Sequence, residues 1–153
     1  MLDLEKQVKF EFELGRALSK SNNIPKIKKL ILNSNDRMDY RQKAKFVSKL
    51  KQLANIEVNK RFSSKEKATY FPIYNKRKSC TVTLTVFTPD KRKSDPDNLQ
   101  PTLKAIMDGF TQAGLWSDDN HEVVKFTKYQ YGGISGKKTY RLEVDIEDLT
   151  FEL

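Results

Sequence analysis

Apolar and polar residues alternate strictly over positions 7–14, which predicts a β-strand with one buried face. Positions 80–88 alternate in the same way and are rich in threonine and valine, so a second strand is predicted there. The side chains expected to face the core from these two strands are Val8, Phe10, Phe12, Leu14, Cys80, Val82, Leu84 and Val86. Less regular patterns predict further strands at residues 29–33, 69–74, 122–131 and 139–146.

Short connections between some of these strands predict hairpins. Residues 75–79 join the segments at 69–74 and 80–88, and the glycine-rich residues 132–136 join 122–131 to 139–146. Because a short connection brings consecutive strands back alongside each other, each pair is expected to be adjacent and antiparallel.

Two longer segments have the period of about 3.6 residues that is typical of an amphipathic helix. In residues 36–59 the recurring apolar positions are Tyr40, Ala44, Val47, Leu50 and Ala54. Lysines fill much of the remaining surface of this helix, either as a solvated face or as a contact to DNA.

The second helix is predicted over residues 99–113. Leu103, Ile106 and Phe110 form its apolar stripe, and Gly114 ends it. Pro101 belongs in its first turn, where a missing N–H costs little.

The length of 153 residues corresponds to one domain. The order of elements predicts a single α+β domain over residues 1–153, with a mixed or antiparallel β-sheet and two main helices. No run reaches about 18 consecutive apolar residues, the length of a membrane span, so no membrane partner is expected. Residues 1–6 lack the apolar core of a signal peptide, which predicts a cytoplasmic protein.

The charge balance points to a polyanionic partner. Twenty-nine basic residues against 20 acidic ones give a net charge of +9, which favours nucleic acid. The single histidine, His121, excludes a zinc site built on histidines, and nothing near it supports a Ser-His-Asp or Cys-His mechanism. The single cysteine, Cys80, is expected to be a buried, inert thiol, and Trp116 is expected in the core.

Clustered carboxylates supply the candidate chemistry. Asp95 and Asp97 follow the basic run at residues 91–93, and in an extended chain residues two apart point to the same face. Pro96 biases Asp95 toward that extended geometry. Two such carboxylates can converge on a hard cation, Mg²⁺ or Mn²⁺.

A second acidic pair, Asp118 and Asp119, follows the helix. The helix is about 19 Å long, and the chain after it can return by up to about 17 Å, so Asp119 can approach Asp95 and Asp97. Because adjacent residues of an extended segment face opposite sides, one of the pair is expected to be a direct ligand.

Lys104 and Asp108 are four residues apart and therefore neighbours on one helix face. They form either a surface salt pair or a functional unit in which Lys104 faces the scissile phosphate. In the second case Asp108 is expected to orient Lys104 rather than to bind the metal.

Three segments together resemble the RusA family of Holliday-junction resolvases, which are phage and prophage enzymes. The segments are residues 94–99, 104–110 and 113–119, with the letters SDPDNL, KAIMDGF and AGLWSDD. A D-x-D pair alone is a weak signal. The combination is distinctive because four features follow one another in a fixed order: the basic run, D-x-D-N, K-x-x-x-D and D-D.

The resemblance implies a RusA-like fold and a homodimeric, Mg²⁺-dependent endonuclease that cuts four-way DNA junctions in recombination and repair, within a bacterial host cell. Asp95, Asp97 and Asp119 match the metal-site acids of the motif, and Lys104 matches the lysine needed for cleavage. Asp108 and Asp118 are then supporting residues around the site.

The phosphate-binding cations are expected to be Arg77, Lys91, Arg92 and Lys93. The dimer is expected to use the apolar residues of the first strand, or aromatic residues at 62, 70 and 71.

One feature departs from the family pattern. The motif lysine usually follows D-N after two residues, whereas five residues separate Asn98 from Lys104 here. Two other functions stay open at this point: a nuclease with broader branched-DNA or flap specificity, and a non-enzymatic DNA-binding module.

Overall fold

The computed structural model describes residues 7–92 and 94–149. Within these residues the chain forms one α+β domain with a five-stranded mixed sheet. The strands are β1 (Gln7–Arg16), β2 (Lys29–Ile31), β3 (Cys80–Thr88), β4 (Val124–Ile134) and β5 (Tyr140–Asp148). The helices are α1 (Tyr40–Arg61), α2 (Ser64–Tyr70) and α3 (Gln100–Gln112), with short 3₁₀ helices at Lys26–Lys28 and Pro96–Leu99.

The strand order across the sheet is β2-β1-β5-β3-β4. β5 runs antiparallel to both β1 and β3, while β2 and β4 run parallel to β1 and β3 at the two edges. Val144 pairs with Phe10 on one side and with Leu84 on the other, so the apolar side chains of three strands form rows on one face. This register confirms the inward residues predicted for β1 and β3.

Helices α1 and α3 pack on that apolar face and on each other. The ring of Phe110 in α3 lies 4.7 Å from the ring of Phe10 in β1. At the helix crossing, a Cβ on Gly109 would lie 2.5 Å from the backbone oxygen of Lys51 and 2.7 Å from the Cβ of Ala54. Glycine is therefore what allows α3 to approach α1 this closely.

The first helix begins later than predicted. Asp39 caps it by accepting a hydrogen bond from the backbone N–H of Gln42 at 2.8 Å, and Asp36 forms an ion pair with Arg16 instead. Tyr40, expected on the buried face, is 76% exposed. The buried residues of α1 are Leu50, Ala54 and Val58, so its buried stripe starts at Leu50.

The strand predicted at residues 69–74 is wrong, and so is its hairpin with β3. Residues up to Tyr70 belong to α2, which starts with a capping box between Ser63 and Glu66. Tyr74 forms one isolated parallel bridge with Trp116. The capping residues favour a helix here, and they outweigh the aromatic residues that favoured a strand.

The predicted C-terminal hairpin is also wrong, because β5 lies between β1 and β3 rather than beside β4. Leu142, Val144 and Ile146 are completely buried, as expected for a strand with a neighbour on each side. β4 extends to Ile134, so the turn begins later than residue 132. A Cβ on Gly132 would lie 2.5 Å from the Phe87 ring, which explains a glycine inside this strand.

Several predictions are confirmed. α3 lies within one residue of the predicted 99–113, β3 has its predicted bounds, and Cys80 and Trp116 are buried. The suggested dimer surface is wrong where it used the apolar residues of β1 and Phe62, because these side chains belong to the core. None of the helices in the described part of the chain has the length and apolar character needed to cross a membrane.

Candidate functional site

Asp95 and Asp97 lie between the end of β3 and the start of α3. Asp95 is extended, with ψ of 128°, and precedes the 3₁₀ helix Pro96–Leu99, whose second residue is Asp97. The backbone N–H of Asn98 donates to the carbonyl oxygen of Asp95 at 3.0 Å, which closes this turn. Pro96 therefore has its predicted effect on Asp95, but the two acids do not share the face of an extended strand. Both are exposed.

Contacts with the segment after β2 hold the start of α3 in place. The hydroxyl of Thr102 accepts a hydrogen bond from the Leu32 N–H at 2.8 Å and donates to the Leu32 carbonyl at 2.7 Å. The backbone N–H of Ser34 donates to the Asn98 carbonyl at 2.7 Å. The turn that carries both aspartates is thus attached to the edge of the sheet, which restricts where their carboxylates can lie.

Asp97 lies near Tyr129 of the edge strand β4. Burial raises the pKa of the Tyr129 phenol, and the negative charge of Asp97 raises it further. Tyr129 points to the same side of the sheet as its partner in β3, Leu84. The aspartates therefore lie beside β4 on the apolar face of the sheet, the face on which α1 and α3 pack.

Lys104 joins the helix to the second acidic pair. Its ammonium group donates hydrogen bonds to Asp108 and to Asp119, both at 3.1 Å. Burial alone would lower the pKa of Lys104, but the bonds to Asp119 and Asp108 outweigh it, and the pKa is raised. The side chain of Asp119 is only 17% exposed, compared with 55% for Lys104. One ammonium group thus pairs with two carboxylates, and the cluster keeps a net negative charge.

Trp116 fixes the return of the chain after α3. Its ring is buried against Phe110, and its indole N–H donates to the Thr111 hydroxyl at 2.6 Å. The backbone N–H of Ser117 then donates to the Tyr74 carbonyl at 3.1 Å. The segment therefore runs back alongside α3, as the chain length allowed.

The two adjacent acids of the second pair have different surroundings. Asp118 accepts hydrogen bonds from the backbone N–H of Asp119 at 2.8 Å and from the Asn120 side chain at 3.0 Å. These bonds shape the loop, and Asp118 is exposed. Asp119 is the member of the pair that faces Lys104.

A hard divalent cation fits these residues by donor type, because the candidate ligands are all carboxylates. The described residues contain no group of three His, Cys, Asp or Glu side chains arranged as metal ligands. In the structure Asp119 is paired with Lys104, and Asp95 and Asp97 lie at the turn before α3.

Exposed cations lie at both ends of β3. Lys91 and Arg92 follow its last residue, and the Arg92 side chain is 90% exposed. Arg77 is exposed in the loop that precedes β3, where its neighbour Lys76 forms a salt bridge with Glu122 at 3.4 Å. The nine residues of β3, a strand about 26 Å long, lie between the two groups. Lys93, the fourth predicted cation, lies outside the described residues.

Tyr129 and Tyr131 were not recognised from the sequence as residues of the candidate site. Both point to the inner side of β4, Tyr129 near Asp97 and Tyr131 beside Asp95. Their two-residue spacing in a predicted strand indicated a shared face. Nothing local indicated that the aspartate loop would fold back onto this face.

The sequence matches no protein-family model, and no curated protein is significantly similar to it.

Proposed function

We propose that the protein is a metal-dependent DNA endonuclease that cuts four-way junctions, as the resemblance of residues 94–119 to the RusA resolvases implies. The observation that carries this proposal is the contact of Lys104 with Asp119, since it brings the lysine and the D-D motif together across fifteen positions of the chain. The net charge of +9 supports DNA as the partner.

In this proposal Asp95, Asp97 and Asp119 would hold Mg²⁺ or Mn²⁺, which would supply Lewis acidity toward the phosphate and the attacking water. The ammonium of Lys104 is protonated at neutral pH, as lysine is in water, so it can stabilise negative charge developing on the phosphate oxygens. Asp108 restricts the rotamers of Lys104 through its 3.1 Å contact.

The cations at both ends of β3 support a phosphate path across this site. Arg77 precedes β3, and Lys91 and Arg92 follow it. The strand between them is about 26 Å long, the length of seven or eight nucleotides of one DNA strand. These residues bind backbone phosphates and carry little sequence information. Two symmetric cuts in a junction need two such sites, which a two-fold homodimer provides.

A second candidate function is a DNA-binding module without catalysis. The observation that favours it is the pairing of Asp119 with Lys104 in the absence of a group of three ligating side chains among the described residues. In that case Asp95, Asp97 and Asp119 only organise loops.

A cleavage assay separates these functions. A labelled four-way junction, a flap and a linear duplex are incubated with the protein, with and without Mg²⁺ or Mn²⁺. We expect metal-dependent cutting of the junction alone. Equal cutting of the flap indicates a broader branched-DNA nuclease, and equal cutting of linear duplex excludes junction selectivity. Absence of cutting with either ion, together with retained junction binding, supports the DNA-binding module.

Asp97→Asn tests the site directly. It is expected to abolish cutting and to preserve junction binding, because the carboxylate is lost while the phosphate-binding cations remain. Glu147→Gln, which removes an exposed carboxylate from the opposite face of the sheet, serves as the matched control. Normal cutting by Asp97→Asn would show that the proposed site is wrong.

A further inference from the structure

A cleft opens beside Asp95, between the loop after β3 and the edge strand β4. Its volume is about 340 Å³, and it is lined by Lys91, Arg92, Ser94, Asp95 and Tyr131. The proposed hydrolysis uses Asp95 and the two cations of this set. It gives no function to the aromatic ring of Tyr131.

The hydroxyl of Tyr131 has a partner within the protein although the residue is exposed. Its hydroxyl lies 3.3 Å from the hydroxyl of Thr88, a residue that is 3% exposed at the end of β3. The side chain itself is 50% exposed and lines the cleft. A half-exposed ring whose hydroxyl is hydrogen-bonded can stack on a planar ligand and loses little conformational freedom in doing so.

The other side chains that line the cleft can contact the phosphate and the base of a nucleotide. Arg92 is exposed and has one long contact, 3.7 Å, with Asp90, so its guanidinium is accessible to a phosphate. Lys91 adds a second positive charge. Asp95 repels a phosphate, and its carboxylate can accept a hydrogen bond from an N–H of a base. The cleft therefore combines an aromatic surface, cations and an acceptor.

We propose that this cleft binds a single unpaired nucleotide of the DNA next to the scissile phosphate, with its base stacked on Tyr131. This inference rests on the proposed function, because it assigns the cleft to the same DNA. A base within a continuous duplex has both faces covered by its neighbours, whereas a branch point or a single strand provides an uncovered face. Stacking on Tyr131 thus gives the protein a preference for branched over linear DNA.

The experiment measures binding without metal. A short single-stranded oligonucleotide that contains 2-aminopurine is titrated with the 153-residue protein in EDTA, and quenching of the fluorophore reports stacking. Tyr131→Ala is expected to weaken binding about tenfold and to remove the quenching. Tyr131→Phe keeps the ring and is expected to retain the quenching, with a smaller loss of affinity because the contact with Thr88 is lost.

Phe126→Ala is the matched control, since Phe126 lies on the same edge strand and is 49% exposed. It is expected to bind as the wild type does. An affinity of Tyr131→Ala within twofold of the wild type, or equal losses for Tyr131→Ala and Phe126→Ala, overturns the proposal.

The outcomes also separate this inference from the proposed function. A Tyr131-dependent quenching in a protein that cuts no junction with any divalent ion supports the nucleotide cleft and excludes the nuclease. Metal-dependent junction cutting with no effect of Tyr131→Ala on binding supports the nuclease and excludes the cleft.

Discussion

The ammonium group of Lys104 lies 3.1 Å from a carboxylate oxygen of Asp119, fifteen positions further along the chain. The same ammonium also holds Asp108, four residues on in α3. The pair forms because the segment after α3 returns along the helix as far as its second turn. Through this contact the lysine and the acidic pair, which the sequence presents as separate motifs, form one cluster.

Replacing Lys104 with methionine tests the importance of this cluster. Lys104→Met is expected to reduce junction cutting by about 10²- to 10³-fold. The substitution removes the positive charge that stabilises the negative charge developing on the phosphate. The free energy of unfolding is expected to change by about 1 kcal/mol or less, since the Lys104 side chain is 55% exposed and its interactions are screened by solvent. Single-turnover cleavage and urea unfolding measure the two effects. Lys104→Arg keeps the charge and is expected to retain more activity; equal losses in both variants would contradict a role of the charge.

Thr102 supports the site from inside the protein. Its completely buried hydroxyl bonds to both the N–H and the carbonyl of Leu32. Thr102→Val leaves these two backbone groups without a partner and is expected to lower the free energy of unfolding by about 2–4 kcal/mol. Urea denaturation measures the loss. Thr102→Ser keeps the hydroxyl and is expected to be the milder change; if the serine variant is the less stable one, the hydrogen bonds contribute less than the methyl group.

Replacing Gly109 tests how closely α1 and α3 approach each other. In an open helix surface, replacing glycine with alanine stabilises by up to about 1 kcal/mol. Here the added Cβ meets Lys51 and Ala54 at distances well below contact, so Gly109→Ala is expected to destabilise by about 1–3 kcal/mol. Chemical denaturation gives the sign directly. A stabilised variant would show that α1 and α3 are further apart than described.

Cys80 is expected to be unreactive in the folded protein. Burial, and then the charge of Asp148, raise the pKa of its thiol from 9.0 to about 12. A thiol reagent at pH 8.5 is therefore expected to modify Cys80 only after unfolding in urea. Rapid modification of the native protein would contradict its burial.

The same shift makes stability depend on pH. The unfolded chain loses the thiol proton near pH 9 and the folded chain near pH 12, so the folded state holds more protons between these values. Stability is therefore expected to fall as the pH rises through this window. Cys80→Ala, measured by urea unfolding over the same window, is expected to show a shallower fall; an identical slope would mean that the thiol does not contribute.

Local patterns in the sequence were sufficient for several elements. The alternation in β1 and β3 and the helical period of residues 99–113 depend on residues close in sequence, and the structure has these elements where they were predicted. The helix α2 was missed although its signal is local. Its capping residues, Ser63 and Glu66, precede an aromatic segment whose composition favours a strand.

The candidate site was predictable in parts. The sequence identified Lys104 and Asp108 as neighbours, because four residues span one helical turn. It did not identify the 3₁₀ turn that separates the faces of Asp95 and Asp97, because Pro96 can precede either an extended segment or a turn.

The sequence by itself determined the types of most elements, the buried faces of β1 and β3, and the acidic motifs with their adjacent cations. Only the tertiary structure decided that β5 lies between β1 and β3, that Asp119 pairs with Lys104, and that Tyr131 lies beside Asp95. The physical reason is that these relationships depend on which apolar faces cover one another. Three packing contacts fix these relationships: β5 between its two neighbouring strands, Gly109 against α1, and Trp116 against Phe110. The first two contacts join segments that are distant in sequence, so no single segment predicts them.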